Sequence, residues 1–241
     1  MCNNKIGIFD SGSGGLTTLN EIRKILPNED YIYYADNSNH PFGNKNTKEL
    51  YSIVKNVVDF LLKKEVKIIV IACNTATTKC IDKLRKDYKN ITFIGTEPAI
   101  KVACDKNYKN TLVLATPATI SSEKVQELIF KNKKNNQNIY LLPCEGLAQS
   151  IENNDSLKID KLLKKYLTEY LDKNIDSIVL GCTHYPLIKD KIKNIFNKSN
   201  IDIIDGNKGV AKRVKYVLET NKLLNNKKDN GTVKIIYTKK D

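Results

Sequence analysis

The sequence is poor in the residue types that build metal sites and disulfide frameworks. It has two histidines and no tryptophan in 241 residues, and none of its cysteines form a CxxC pair. A structural zinc ion usually takes four Cys or His ligands, often from such pairs, so we expect no metal site. The six cysteines are also irregularly spaced, unlike those of a small disulfide-rich secreted domain. They predict free thiols in a reducing compartment.

Long apolar runs are missing as well. The longest, at 68–73, is far short of the roughly 20 apolar residues that cross a bilayer. The first residues lead into a predicted strand and not into the apolar core of a signal peptide. We therefore predict a soluble, cytoplasmic protein with no membrane partner.

Positive charge is abundant, but arginine is scarce. The formal net charge is +13, and arginine occurs only at positions 23, 85 and 213. Clustered basic residues would favour nucleic-acid binding, but these lysines are scattered and lack interleaved aromatic residues. A solvated lysine surface is the preferred interpretation. A non-catalytic nucleic-acid-binding protein stays a remote alternative, which requires salt-dependent binding that survives loss of the thiols.

The apolar pattern predicts two similar series of strands and helices. Strand-like runs occupy 5–9, 31–34, 66–72 and 91–94 in the first series and 111–115, 138–142, 176–180 and 201–204 in the second. A helical pattern at 210–223 and a strand at 233–237 follow, and we expect both to pack onto the first lobe. The sequence thus predicts an α/β protein with one lobe from 1–98 plus 206–241 and another from 99–205.

One cysteine follows the third predicted strand of each series, Cys73 in the first and Cys182 in the second. Ligands of open parallel sheets bind beyond the carboxyl ends of the strands, so both thiols are expected at ligand-binding edges. Each is predicted to precede a helix, whose positive dipole end favours a thiolate. A single buried cysteine is usually a packing residue, but the matched contexts favour a reactive pair.

The other cysteines are interpreted as structural. Cys80 and Cys104 fall inside amphipathic helical patterns, Cys2 is terminal, and Cys144 lacks a comparable polar motif.

Three polar features remain open to two interpretations each. The loop 10–15 offers the Asp10 carboxylate, the Ser11 hydroxyl and a closely approachable backbone, or simply a helix cap with a tight turn. His184 either shares a proton with a ligand or thiol, or is a satisfied structural histidine. The neutral donors beside the cysteines suit a carboxylate or amino group, or ordinary helix capping: Asn74, Thr75 and Thr183.

Four ordered segments resemble the glutamate racemase signatures of the aspartate/glutamate racemase superfamily. They are FDSGSGG at 9–15, AD at 35–36 with PFG at 41–43, ACNTAT at 72–77 and GCTHYP at 181–186. These segments span most of the chain. The resemblance implies two pseudo-symmetric flavodoxin-like lobes with parallel sheets and an active site in the cleft between them.

The resemblance also implies an activity, namely cofactor-independent interconversion of L- and D-glutamate, without pyridoxal phosphate or metal, that supplies D-glutamate for peptidoglycan. Cys73 would exchange the α-proton on the D face with help from Asp10, and Cys182 on the L face with help from His184. The implied substrate contacts are Asp10, Ser11, Phe42, Gly43, Asn74, Thr75, Thr183 and His184. Glutamate is the implied ligand, and a homodimer is left open.

Two thiols suit inversion of a carbon atom, because one removes a proton and the other delivers one to the opposite face. The sequence departs from the family pattern at Phe42, where the family commonly has tyrosine. The missing hydroxyl bears on which substrate the protein binds. A lost hydrogen bond from that hydroxyl to a charged group would cost about 1.5 to 3 kcal/mol. The alternatives are an aspartate racemase or another amino-acid racemase of the superfamily, and a redox protein with a Cys73–Cys182 disulfide, which a ligand-sized gap would prevent.

Overall fold

The computed structural model describes residues 4–196 and 201–239, so the terminal Cys2 lies outside the described part. The chain divides into two compact units, Met1–Thr96 with Asn207–Asp241, and Glu97–Gly206. None of the helices in the described ranges is long and apolar enough to cross a membrane.

Nine strands and ten α-helices are assigned within the described residues. The strands are β1 Ile6–Asp10, β2 Tyr31–Ala35, β3 Ile68–Ile71, β4 Thr92–Gly95, β5 Asn110–Ala115, β6 Asn138–Pro143, β7 Ser177–Gly181, β8 Asp202–Asp205 and β9 Val233–Tyr237. The helices are α1 Leu16–Ile25, α2 Thr47–Leu62, α3 Asn74–Asp87, α4 Ile100–Asp105, α5 Pro117–Ile120, α6 Glu123–Asn132, α7 Leu147–Glu152, α8 Ser156–Leu167, α9 Lys189–Phe196 and α10 Asn207–Thr220. Short 3-10 turns occupy Asn37–Asn39, Phe42–Asn44, Thr168–Tyr170 and Tyr185–Ile188.

The first unit is built on a parallel sheet with the order β4-β3-β1-β2-β9. Every residue of β1 and β3 is buried, which explains why these strands are nearly uninterrupted apolar runs. One face packs against α1 and α10 through residues such as Leu19 and Val214, and the other packs against α2 and α3 through Val54 and Leu84.

The carboxyl-terminal elements belong to this first unit. β9 pairs in parallel with β2, with Val233 opposite Tyr31, and α10 packs against α1. Asp30 accepts hydrogen bonds of 2.8 Å from both the backbone N–H and the hydroxyl of Thr232, just before β9. These bonds tie β9 to the start of β2.

The second unit is a four-stranded parallel sheet with the order β6-β5-β7-β8. Its two faces are covered by separate apolar clusters, one including Leu163 and Tyr185 and the other including Ile100 and Val125. Helix α8 begins at Ser156, and the 3-10 turn Thr168–Tyr170 closes the segment.

The two sheets share one topology. In each, the first strand lies between the second and the third, giving β2-β1-β3-β4 and β6-β5-β7-β8. This is the core order of flavodoxin-like sheets, in which ligands bind beyond the carboxyl ends of the central strands. The predicted fold class, two similar α/β lobes with parallel sheets, is therefore confirmed.

Candidate active site

Cys73 lies at the carboxyl edge of the first sheet, directly after β3. It is the residue that caps the amino end of α3, and it is buried. The unpaired N–H groups of the first helical turn and the helix dipole favour a negative charge at this point. The predicted arrangement, a thiol at the amino end of a helix, is confirmed for Cys73.

The next two residues bring neutral hydrogen-bonding groups to the same edge. Asn74 and Thr75 are both buried in the first turn of α3. The Asn74 side-chain amide donates to the backbone carbonyl of Thr96, at 3.2 Å, just beyond β4. This bond fixes the orientation of the Asn74 side chain relative to Cys73.

Asp10 ends β1 at the same edge and is fully buried. Its Oδ2 accepts a 2.9 Å hydrogen bond from the N–H of Gly15, the residue that caps the amino end of α1. A Cβ atom at Gly15 would lie 2.7 Å from both the Asp10 Cβ and the Tyr33 hydroxyl, so this position requires glycine. The loop is therefore a tight turn, and it also holds a buried carboxylate and the buried Ser11 near the end of the neighbouring β3.

Phe42 and Gly43 lie in the 3-10 turn Phe42–Asn44. The Phe42 ring is only 1% exposed and belongs to the apolar cluster that contains Phe9 and Leu50. The aromatic ring thus anchors the turn in the core.

The Asp36 side chain stabilises the loop before that turn by hydrogen bonds. It accepts hydrogen bonds from Ser38, Asn39 and Thr238, with distances between 2.9 and 3.2 Å. Thr238 follows β9, so the carboxyl-terminal strand also supports this edge of the sheet.

Cys182 occupies the corresponding place in the second unit, directly after β7, and is also buried. The prediction that a helix follows at once is wrong here. The chain passes through the 3-10 turn Tyr185–Ile188 before α9 begins at Lys189. Pro186 lies near the start of that turn, where its missing N–H and fixed φ are compatible with a helical start.

His184 is almost completely buried and bridges the thiol to a carboxylate. Its Nδ1 lies 3.9 Å from the Sγ of Cys182, and its Nε2 lies 2.6 Å from Oε2 of Glu152 at the end of α7. Thr183 brings its hydroxyl to within 3.4 Å of the same Nδ1. His184 therefore lies within reach of the thiol and also has a carboxylate partner of its own.

Glu152 is the polar residue that the sequence analysis missed. It lies 32 positions before His184, and no motif connects the two. The sequence could have indicated only that such a partner exists, because a histidine that acts with a thiol is commonly oriented by a third, hydrogen-bonded group.

The remaining described cysteines lack such surroundings. Burial raises the pKa of Cys80 to about 12 and also raises the pKa of Cys104. Burial, followed by the nearby Cys182, raises the pKa of Cys144 still further, and its thiol donates to the carbonyl of Leu142 at 3.5 Å. These three thiols are buried in the apolar core, as expected of the packing role predicted for Cys80 and Cys104. Within the described ranges, no three His, Cys, Asp or Glu side chains are grouped to hold a metal ion.

The fold and the two cysteine sites define a class, a two-unit α/β protein with a thiol after the third strand of each sheet. Residues 13–214 match the family model described as Asp/Glu/Hydantoin racemase, and the chain belongs to this family. It is 44% identical to a glutamate racemase of Clostridium novyi, over 95% of this chain and 89% of the relative.

Two solved structures show the same similarity in three dimensions. Glutamate racemase from Francisella tularensis in complex with D-glutamate is 35% identical, with a TM-score of 0.84 over 99% of this chain and 89% of that chain. Escherichia coli glutamate racemase in complex with L-glutamate and the activator UDP-MurNAc-ala is 25% identical. Its TM-score is 0.83, over 97% of this chain and 98% of that chain.

Proposed function

We propose that this protein racemises glutamate without a cofactor, using Cys73 and Cys182 as its two acid–base groups. The observation that carries the proposal is the matched placement of the thiols. Each follows the third strand of its sheet, and the chain is similar to glutamate racemases over almost its full length.

The reaction needs one thiolate and one thiol. With D-glutamate bound, the Cys73 thiolate takes the α-proton and the Cys182 thiol then delivers its proton to the other face of the same carbon. The roles exchange for L-glutamate. Each turnover therefore leaves the two thiols in the protonation states that the reverse reaction needs. An ordinary cysteine pKa near 8.5 makes one thiolate at pH 7 cost only about 2 kcal/mol.

Each thiol has its own assisting group in the proposal. Asp10 assists Cys73 from the end of the neighbouring strand β1. His184 assists Cys182, and Glu152 stabilises the protonated imidazole through the 2.6 Å contact at Nε2. This relay lets His184 and Cys182 exchange a proton without leaving an unpaired charge in a buried site.

The harder step is the formation of negative charge on a carbon beside a carboxylate, which fixed donors must stabilise. We assign this task and glutamate binding to donors at both cysteine sites. The residues are Ser11, Asn74, Thr75 and Thr183, together with Asp10, His184 and the backbone at Phe42 and Gly43.

The cellular role follows from the product. D-glutamate would enter peptidoglycan synthesis, and the five free thiols among the described residues fit the reducing cytoplasm. A homodimer is a further part of the proposal, and so is binding of an activator such as UDP-MurNAc-ala, which the structure of the Escherichia coli relative contains.

Circular dichroism of metal-free protein, without added pyridoxal phosphate, tests the proposal. Wild type should abolish the optical signal of L-glutamate and of D-glutamate but leave that of L-aspartate unchanged. Cys73→Ala and Cys182→Ala should both be inactive, and Cys104→Ala, a buried thiol outside both sites, should be active. Turnover of aspartate alone would instead identify an aspartate racemase, and turnover by either single variant would disprove the two-thiol mechanism.

A further inference from the structure

Thr77 belongs to the ACNTAT segment but has no part in the chemistry described so far. Its side chain is 1% exposed and lies in the first turn of α3. The hydroxyl accepts a 3.0 Å hydrogen bond from the backbone N–H of Thr96 and donates one of 3.2 Å to the carbonyl of Ile71. One hydroxyl therefore joins the ends of β3 and β4 to the start of α3.

Gly95 makes this close approach possible. A Cβ atom at Gly95 would lie 2.5 Å from the Thr77 methyl carbon and 2.7 Å from the end of the Ile81 side chain. Any larger residue there would push the end of β4 away from α3. Glycine at position 95 thus leaves the space that the Thr77 side chain occupies.

The same contact determines where Asn74 points. The Asn74 amide donates to the carbonyl of Thr96, the residue whose N–H is held by Thr77. If the Thr96 backbone moves, Asn74 loses its acceptor and the residue after Cys73 loses its orientation. Thr77, Thr96 and Asn74 therefore form a chain of hydrogen bonds that ends at the residue next to Cys73 in sequence.

We propose that Thr77 is a positioning residue for racemisation, holding Asn74 and the Cys73 thiol in their reactive geometry through Thr96. The proposal rests on the function proposed above for Cys73. It assigns Thr77 no contact with glutamate. The effect is confined to the Cys73 half of the reaction, because Cys182 lies in a separate unit with its own partners.

The test compares Thr77→Val, which keeps the shape but loses both hydrogen bonds, with Thr77→Ser, which keeps the hydroxyl. We expect Thr77→Val to lower kcat/KM about ten- to hundredfold, the cost of misplacing a reacting group by about 1 Å. Enantiomers have equal free energies, so kcat/KM must fall equally in both directions. Thr77→Ser should recover most of the activity.

Isotope effects distinguish a misplaced Cys73 from a general loss of stability. If the Cys73 step alone is slowed, the primary isotope effect should grow with α-deuterated D-glutamate and shrink with α-deuterated L-glutamate. Thr111→Val is the matched control, because it also removes a buried, hydrogen-bonded hydroxyl. Thr111 pairs with Ser177 at the amino ends of β5 and β7, and Cys182 follows the carboxyl end of β7. The Thr111→Val change should lower stability and leave both isotope effects unchanged.

A readout without turnover keeps this proposal distinct from the proposed function. Alkylation of Cys73 by iodoacetamide, followed by peptide mass spectrometry, should be slower in Thr77→Val, while alkylation of Cys182 stays at the wild-type rate. Thr77→Val with wild-type alkylation of Cys73 would overturn the proposal, as would equal changes in the two isotope effects. Slower Cys73 alkylation in an enzyme that does not racemise glutamate would support the positioning role and refute only the function.

Discussion

Glu152 shows how much of the Cys182 site depends on a single contact. Its carboxylate lies 2.6 Å from His184, whose other ring nitrogen faces the thiol. Replacing the carboxylate by an amide keeps the size of the side chain but removes the charge that stabilises a protonated imidazole.

We expect Glu152→Gln to lower kcat/KM for glutamate roughly 100-fold, the lower end of the range of a general acid–base contribution. Steady-state rates from pH 6 to pH 9 provide the measurement, with Glu145→Gln as an exposed acidic control in the same unit. Equal activity of the two variants would show that His184 acts without its carboxylate partner.

Phe42 is the residue at which the sequence departs from the family pattern, and the structure buries its ring in an apolar cluster. We expect Phe42→Tyr to lower the free energy of unfolding by about 1 to 3 kcal/mol, because it buries a hydroxyl among apolar groups. The KM for glutamate should not change, because recognition is assigned to the backbone here. Urea unfolding and steady-state kinetics test both points, with Phe93→Tyr in the same cluster as the control. A markedly lower KM would instead mean that the family hydroxyl contacts the substrate.

At the scale of elements, the period and composition of the apolar runs were sufficient to locate the sheet strands. A strand at 233–237 was predicted and β9 has these bounds. Its residues are half-buried or exposed, but its β-branched and aromatic side chains favour a strand. The short α7 left no such pattern, and the 3-10 turn after Cys182 was mistaken for a helix. The contact between Glu152 and His184 was not predictable, because tertiary packing alone brings them together.

Asp30 makes the attachment of the carboxyl-terminal segment sensitive to acid. Burial acts to raise its pKa, but hydrogen bonds from Lys227 and Thr232 outweigh that effect and lower the pKa to about 2. A carboxyl group with a lowered pKa stabilises the fold above its ordinary value of 3.8, and this contribution is lost as the pH falls through about 2.

Wild type should therefore lose up to about 2 kcal/mol of unfolding free energy between pH 5 and pH 2 that Asp30→Asn does not lose. Urea titrations at several pH values measure the difference. Asp229→Asn, at an exposed position in the same segment, serves as the reference and should follow wild type. Parallel pH curves for wild type and Asp30→Asn would show that this carboxylate does not anchor the segment.

At the scale of the whole molecule, the two units differ in how the chain forms them. The second unit is one continuous stretch, Glu97–Gly206, with its own sheet and two apolar clusters. The first unit is completed only by Asn207–Asp241, which supplies α10 and the edge strand β9.

We expect a fragment of residues 97–206 to fold alone, because its core requires no residue from elsewhere in the chain. A fragment of residues 1–96 should not, because α1 would expose the apolar surface that Val214 and Leu218 of α10 cover. Circular dichroism and dispersion of amide NMR signals distinguish the two outcomes, and adding residues 207–239 to the second fragment through a short linker should restore its fold. A folded 1–96 fragment would contradict this division of the core.

The placement of β9 sets an order of events during synthesis. The ribosome delivers all of the second unit before it makes Val233–Tyr237, so Cys182 and His184 reach their final surroundings while the sheet beneath Cys73 still lacks an edge strand. During that interval the open edge of β2 is available for pairing with other chains. During synthesis the protein is thus most prone to aggregation through its first unit, whose sheet is completed last.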